Sequence, residues 1–567
     1  MAAQNGNWQR NTPGRLNRRG ILRGATFGGA GLALAAAGCG RSPSAPKSTG
    51  GSAGDKPQTG GTLKRRTVTT AFNGGFDPHI QQGSQTGEMG FFYQGALRLN
   101  PKTLAIEAEI AQKWEQPSQT EYLLHLNPAV KWQNRPPANG RPVTADDVVF
   151  SFERLRTNNP QFINRGLFDN VDKIQAVDKA TVRLTTKAVD ATTLNNLCAM
   201  SAKILAPEVV EKAGKFAEAS SAVGTGAFMV QSRDDTGAVL VRNPDYWKPG
   251  LPYLDGIQDR IFKDDESAWA AFIVGQLDTR DIPGTEAPKV FAEQASKYHL
   301  EWFKDVGFVA TQANTKKKPF DDPRVTKALR QLVDHDEADK AWAVTYFGRG
   351  YLSAYLPAAL DSWDLTEQEY RSYLEFKTPK DAAVKDSLSL LAAAGYTKDN
   401  PLKFVLSGQV TDLSFSRAQT ELMHAQFTQL SQGVLKPELR ILDQAHMRDS
   451  LARRDFEYVI TNLVADQAYE IDSWFRTFNY TDGSRNYGLW SDPKLDQMVD
   501  KQRTVFDVNQ RKPIVKDILK YLMDNCPYTS WLGRYNPNAA QLKVQNFVPE
   551  GNSSIWGYHY EEVWLKQ

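Results

Sequence analysis

The side chains with the widest chemical reach in this 567-residue chain are three cysteines, seven histidines and many carboxylates. Their spacing argues against most of the reactions such groups perform. Cys198 and Cys526 are far apart and match neither a metal-ligating nor a redox spacing. An oxidising compartment would permit a bridge between them, but their separation gives no reason to expect adjacency. The histidines form no H-E-x-x-H pair and join no cysteine cluster, and no G-x-S-x-G elbow or phosphate loop is present. Gly224-Thr225-Gly226 is a fragment of a glycine loop without its third glycine. The pattern points away from catalysis and predicts no cofactor and no bound metal.

Cys39 has a different context. Asn17-Arg18-Arg19-Gly20-Ile21-Leu22-Arg23 precedes a weakly apolar Gly/Ala-rich run from Ala25 to Ala37, and Ala36-Ala37-Gly38-Cys39 closes the stretch. A cationic head, a short apolar middle and a small-residue cleavage site make a secretory signal. The run is far short of the roughly 20 apolar residues that span a bilayer. As a core helix it would be poor, each glycine costing about 1 kcal/mol against Ala.

The order resembles a twin-arginine export signal joined to a bacterial lipoprotein cleavage box, with Ala36 where Leu is more usual. That resemblance implies a signal peptide over residues 1–38 and Cys39 as the first mature residue, carrying acyl chains. It places the protein outside the cytoplasm, in the periplasm or at the cell surface. Simple secretion is the alternative. Several acyl chains, at roughly 0.8 kcal/mol per buried CH₂, would hold it on a membrane. Gly40 to Gln58 is mostly Gly, Ser, Pro, Thr, Ala and Lys without apolar periodicity. It cannot bury enough surface to fold, and residues 39–58 read as a leash on the order of 25 Å long.

Removing the signal takes away Arg10, Arg15, Arg18, Arg19 and Arg23 and no acid, which lowers the formal charge from +3 to −2. No basic excess remains to gather the mature chain on nucleic acid. The body from about residue 59 is too long for one ordinary core and should divide into two or three domains.

Short strands and helices must position whatever the body binds. Leu63 to Ala71, Glu121 to Leu126 and Thr181 to Thr185 read as strands. Thr144 can cap a helix with Asp147 as its acidic partner, putting Val148, Phe152 and Leu155 on one face. Ala227 to Val241 predicts a hairpin turned at Asp234-Asp235-Thr236-Gly237. Asp322-Pro323 starts a helix whose stripe runs Val325, Ala328, Leu329, Leu332 and Val333. Asp492-Pro493 does the same for Leu495, Met498, Val499 and Val505. A further stripe through Ile514, Ile518, Leu519 and Leu522 ends at Pro527, and Tyr528 to Trp531 reads as a strand.

Several segments resemble the family-5 extracellular solute-binding proteins, receptors of oligopeptide-type ABC importers. Gly60-Gly61-Thr62-Leu63 opens the body and Phe76-Asp77-Pro78-His79 follows, as in that family. Pro142-Val143-Thr144-Ala145-Asp146-Asp147-Val148, Val223-Gly224-Thr225-Gly226-Ala227-Phe228 and Asn243-Pro244-Asp245-Tyr246-Trp247 also match. So do Asn314-Thr315 and Pro319-Phe320-Asp321-Asp322-Pro323-Arg324-Val325. The resemblance implies a type II periplasmic-binding α/β fold, two lobes in three subdomains around a ligand cleft. Lobe 1 would contain residues 59–313, with an inserted subdomain at about 80–200, and the return segment 533–567. Lobe 2 would be residues 314–532, with crossings near Gln312 to Asn314 and Thr529 to Arg534.

The same resemblance implies a monomeric receptor that closes on a short peptide and presents it to an ABC transporter permease. Family peptide receptors pair the peptide ammonium with an Asp at the end of a second-lobe strand. Here Phe456 to Asp466 matches that strand and Asp466 takes that position, with Asn462, Leu463 and Val464 leading to it. Leu463 stands where the family usually has Trp. Gln82-Gly83-Ser84 matches a first-lobe stretch whose backbone pairs with an extended ligand. Trp474, Tyr487 and Trp490 could line a pocket, and a core role is the alternative for each. Sugars, opine-like compounds or metal chelates could occupy the same fold. A tethered exported enzyme is the reading from another class, and it would need an acid, a base and a nucleophile converging in the cleft.

Overall fold

In β1 (Thr62–Thr67), Leu63, Arg65 and Thr67 are buried while Lys64 and Arg66 are half-exposed, the period of two expected of a strand. This computed structural model describes residues 56–67, 75–80, 88–100, 103–159, 161–214, 216–262, 264–282, 286–346, 349–409, 415–465, 469–547 and 560–567. Cys39, with the signal and nearly all of the leash, lies outside the described residues, as do Gln82, Gly83, Ser84 and Asp466.

β2 (Leu97–Leu99) and β3 (Ile106–Ala108) form a small hairpin. β4 (Ala111–Ser118), β5 (Glu121–Leu126), β6 (Val171–Asp178) and β7 (Thr181–Thr186) then make an antiparallel sheet in the order β4-β5-β7-β6. The helix Ala145–Arg156 covers that sheet with Val148, Phe152 and Leu155 fully buried. Its capping box is present, Thr144 N donating to Asp147 Oδ2 at 2.9 Å.

Eleven strands among the described residues join in one mixed sheet. In chain order after β1 they are β8 (Phe228–Asp234), β9 (Gly237–Arg242), β10 (Gly256–Ile261), β11 (Thr279–Asp281), β12 (Tyr298–Ala313), β13 (Arg349–Tyr351), β14 (Leu402–Gln409), β15 (Leu435–Leu442), β16 (Tyr458–Leu463) and β17 (Ser530–Gln541). Their spatial order is β15-β14-β16-β12-β17-β11-β1-β10-β9-β8, with β13 beside β17. β18 (Val544–Gln545) and β19 (Trp564–Leu565) pair separately.

β12 and β17 hold the two ends of this sheet together. Residues 298–304 of β12 pair with β17 alone, 308–310 lie between β17 and β16, and 311–313 continue along β16. The register breaks between Lys304 and Phe308, where Asp305 accepts from Gly307 N (2.9 Å) and Asn536 Nδ2 (2.8 Å). Beyond the break, Phe308 and Ala310 belong to the larger core. Val309 and Ala313 face a second core with Leu329, Leu406, Phe427 and Ile460.

The expected helices at Asp322-Pro323 and Asp492-Pro493 run over Pro323–Gln331 and Pro493–Arg503. Asp322 accepts from Arg324 N and Asp492 from Lys494 N, because a carboxylate before Pro satisfies donors the first turn leaves unpaired. Several details differ from the sequence reading. Leu332 and Val333 lie past the first helix, which ends at Gln331, Val505 lies past the second, which ends at Arg503, and the strand expected at Tyr528 to Trp531 begins at Ser530. In the helix Val508–Asn525, Val515 is buried and Ile514 only half so. Cys198 and Cys526 are buried free thiols. Burial pushes the Cys526 thiol up to about 12, so it stays protonated.

The motifs that carried the resemblance prove to be packing devices. A Cβ on Gly224 would come within 1.9 Å of the Phe92 carbonyl oxygen, and one on Gly226 within 2.6 Å of that of Phe91. The glycine-threonine-glycine turn is therefore a close backbone approach. Asp77 forms two hydrogen bonds with Arg154, at 3.0 Å and 2.5 Å. His79 Nε2 donates to the Lys203 carbonyl (3.0 Å) and Nδ1 accepts from Arg154 (2.7 Å), so the imidazole fits only when neutral. Burial, then the Arg154 charge, lower its pKa from 6.5 to about 4 against the pull of Asp77.

Because the folded value is depressed, this stabilisation is fully present above pH 6.5 and is lost as pH falls through about 4. About 3 kcal/mol is at stake in that window. The His79 ring resonances are expected to stay flat by NMR from pH 8 to 5; a midpoint near 6.5 would refute this environment.

Candidate functional site

Between the β4–β7 unit and the chain that follows β16 lies a polar pocket of about 290 Å³. Asn164, Thr192 and Asn196 line one side, and Asp472, Arg476 and Arg503 the other. The second wall is a helix, Ile471–Phe478, with a strongly one-sided apolar face. Ile471, Trp474, Phe475 and Phe478 are buried. Trp474 stacks on Phe308 (centroids 5.1 Å) and tilts against Phe478 (5.2 Å). The helix therefore rides on β12 just past its register break. Its other face points Asp472 and Arg476 at the pocket, four residues apart on one side.

A closed circuit of polar groups joins the two walls. Asn195 Nδ2 donates to Glu470 Oε2. Glu470 Oε1 accepts from Arg511 Nη2 (2.7 Å), and Arg511 Nε donates to Gln502 Oε1 (2.6 Å). Gln502 Nε2 donates to Asp472 Oδ1 (2.6 Å). Asp472 Oδ2 lies 3.6 Å from Arg503 Nε, and Arg503 Nη2 pairs with Asp190 Oδ2 at 2.6 Å. The circuit leaves the inserted unit at Asn195 and returns at Asp190, five residues earlier in the chain. Ala191 N adds a bond to the Arg503 carbonyl (2.9 Å).

Asp190 is positioned by its own turn. Its Oδ1 accepts from Thr192 N (2.9 Å) and Thr192 Oγ1 (2.7 Å), and Oδ2 also accepts from Asn170 Nδ2 (3.2 Å). Burial pushes the Asp190 carboxyl up, but Arg503 and these hydrogen bonds outweigh it and hold it below its usual range. For Asp472 burial wins over Arg503 and Arg476, and its carboxyl is raised. The pocket carries both signs of charge and almost no unpaired one, which suits polar contact and excludes a bare anion hole.

The residues expected from sequence fall into three groups. Asp466, Gln82, Gly83 and Ser84 lie outside the described residues. The described residues run two positions past β16, to Ala465, and continue from Tyr469. Asn462 is exposed on β16 opposite Val309, and Val464 is half-buried with its carbonyl accepting from Arg485. Leu463 and Trp474 are each only 1% exposed and pack in the larger core, which leaves little of either side chain for a ligand to touch. Trp474 is buried against Phe308 of β12 and Phe478 of its own helix.

Tyr487 and Trp490 are half-buried in a loop braced by Gln312, which donates to the Arg485 carbonyl (3.1 Å) and accepts from Gly488 N (2.9 Å). The Arg454 guanidinium sits 4.9 Å from the Tyr487 ring centre. Asn486 holds Trp490 by both main-chain groups, at 2.6 Å and 3.2 Å. The sequence reading missed Asp190, Glu470 and Arg503. The i, i+4 pair Asp472/Arg476 is visible in sequence, but nothing local announces that Arg503 pairs with Asp190, 313 residues earlier.

The family model for bacterial extracellular solute-binding proteins, family 5, matches residues 105–486. The periplasmic oligopeptide-binding protein OppA of Salmonella typhimurium is 26% identical over 426 residues, covering 71% of this chain and 75% of that protein. Heme-binding protein A of Haemophilus influenzae is 30% identical over 391 residues, 65% of this chain and 68% of that one. Among solved structures, the binding protein AgaA in complex with agropinic acid from A. tumefaciens R10 superposes with a TM-score of 0.70 at 20% identity. It covers 89% of this chain and 99% of its own. The fold is thus the type II periplasmic-binding architecture, two α/β lobes around a cleft. Given that fold and a family match spanning most of its length, the chain belongs to the bacterial extracellular solute-binding proteins, family 5, which capture a solute and deliver it to an ABC-type importer.

Proposed function

We propose that this receptor binds a short peptide, with the peptide ammonium paired to Asp466, and that it is exported by a twin-arginine signal and anchored through lipidated Cys39. The observation that carries the ligand reading is connectivity. β16 runs through the interior of the sheet to Leu463, and the wall of the interlobe pocket begins at Glu470. The segment bearing Asp466 joins the two. A carboxylate taken from water into a closing cleft needs a cation, and a ligand ammonium supplies one.

The crossing expected near Gln312 to Asn314 lies a few residues beyond a register break in β12. We place the hinge at the break between Lys304 and Phe308, where one strand leaves the first-lobe part of the sheet and enters the second. A guest touching both lobes favours the closed state over the open one, and the closed surface is what a permease reads. In this reading the receptor is a monomer until it meets its permease. A second reading, a tetrapyrrole or other metal chelate as cargo, is favoured by the 30% identity to heme-binding protein A.

The test is native mass spectrometry of the mature protein purified without refolding. A retained mass in the range of a short peptide, released unchanged, is the expected result. A retained chelate would replace the peptide reading, and turnover of the cargo by the pure protein would reject the receptor itself.

A further inference from the structure

We propose that Asp190 and Arg503 form a latch between the lobes that sets how much of the receptor is closed before any solute arrives. This rests on the two-lobe receptor reading and adds to it a ligand-independent bias. Asp190 lies in the inserted unit and Arg503 ends a helix of the second lobe. Their side chains are 2% and 20% exposed, so the 2.6 Å pair is largely shielded from solvent. Arg503 also lines the pocket described above, so the latch is read without solute, and neither residue lies in the segment that carries Asp466.

Three features make the contact a latch. Both partners are pre-aimed: Asp190 by Thr192 and Asn170, Arg503 by Asp472 at 3.6 Å. Each keeps a polar partner when the pair breaks, so neither is stranded on opening and the latch is reversible. Asn195, which bonds Glu470, follows five residues on in the helical turn Thr193–Leu197, and Ala191 N bonds the Arg503 carbonyl, so these contacts engage and release together. The remaining charges facing the pair are also accounted for. Arg476 is held by Asp472 (3.2 Å) and Asp500, and Arg511 by Glu470.

The consequence is quantitative. Apparent affinity equals intrinsic affinity scaled by the competent fraction, so a contact that raises the closed fraction tightens every solute by one common factor. A partly shielded ion pair between two bodies is also screened by salt more than one inside a single core.

The test needs no solute. Spin labels at Lys173→Cys, in the inserted unit, and Lys385→Cys, in the second lobe, report the interlobe distance; the buried native thiols stay unlabelled. Asp190→Asn and Arg503→Gln are each expected to raise the long-distance population about tenfold. The double variant should do no more than either alone. Going from 0.05 to 0.5 M KCl should lengthen the distances in the parent and leave Asp190→Asn unmoved. Thermal melts matching the parent show that the variants are folded. Should a variant melt early, the salt series on the parent alone decides. Distances equal to the parent in both variants, effects that add in the double, or no salt response would overturn the latch. The receptor reading stands or falls separately, on the cargo seen in native mass spectra.

Discussion

Glu375→Ala is expected to destabilise the protein by about 3–5 kcal/mol, the cost of stranding a buried charge. Arg330 and Glu375 are 3% and 4% exposed by side chain. The guanidinium meets Glu375 Oε2 through Nη2 (2.6 Å) and Nε (3.1 Å), and also donates to the carbonyls of Met523 (2.6 Å) and Cys526. Those carbonyls end the helix Val508–Asn525, directly before β17. The cluster thus ties the Pro323–Gln331 helix to the chain that enters β17. The two carbonyls cannot neutralise Arg330 once the carboxylate is gone. Replacing both partners, Arg330→Met with Glu375→Leu, is expected to recover most of the loss, because desolvation then costs nothing. Urea unfolding of the three variants measures this. A loss below about 1 kcal/mol for Glu375→Ala would mean that the pair is not buried as described.

The second large effect is on binding. Asp466→Asn is expected to weaken an amine-bearing solute by about 2–5 kcal/mol, the range for truncating one partner of a desolvated charge pair. Folding should be nearly unaffected. Titration calorimetry with the cargo recovered from the native protein reads the loss. N-acetylation of that cargo should cost the parent a similar amount and the variant little more. Unaltered affinity in Asp466→Asn would remove this residue from the site, and with it the strongest reason for preferring a peptide.

Local order was legible in the sequence because its causes are local. The hairpin around Asp234-Asp235-Thr236-Gly237, the cap at Thr144 and the Asp-Pro helix starts each depend on groups within a few residues of one another. A period of two at Glu121 to Leu126 and a helical stripe at Val325, Ala328 and Leu329 identify buried faces for the same reason. The helical reading failed at Val505 because a stripe does not record where capping ends a helix. Trp474 could not be divided between pocket and core, since a Trp side chain suits either. The deciding neighbour, Phe308, is 166 residues away.

The sequence alone was enough to establish the family, the two-lobe α/β fold and the poverty of catalytic motifs. Ordered short motifs and hydrophobic periodicity are properties of the chain itself. Only the tertiary structure decided that the phenylalanine-aspartate-proline-histidine motif is a buried brace for Arg154. The same holds for the glycine turn at Gly224, which exists to let two backbones meet, and for Asp190, which pairs with Arg503. Each of those facts is a distance between residues far apart along the chain. Such distances are set by how sheets and helices pack, and no local pattern of residue types encodes them.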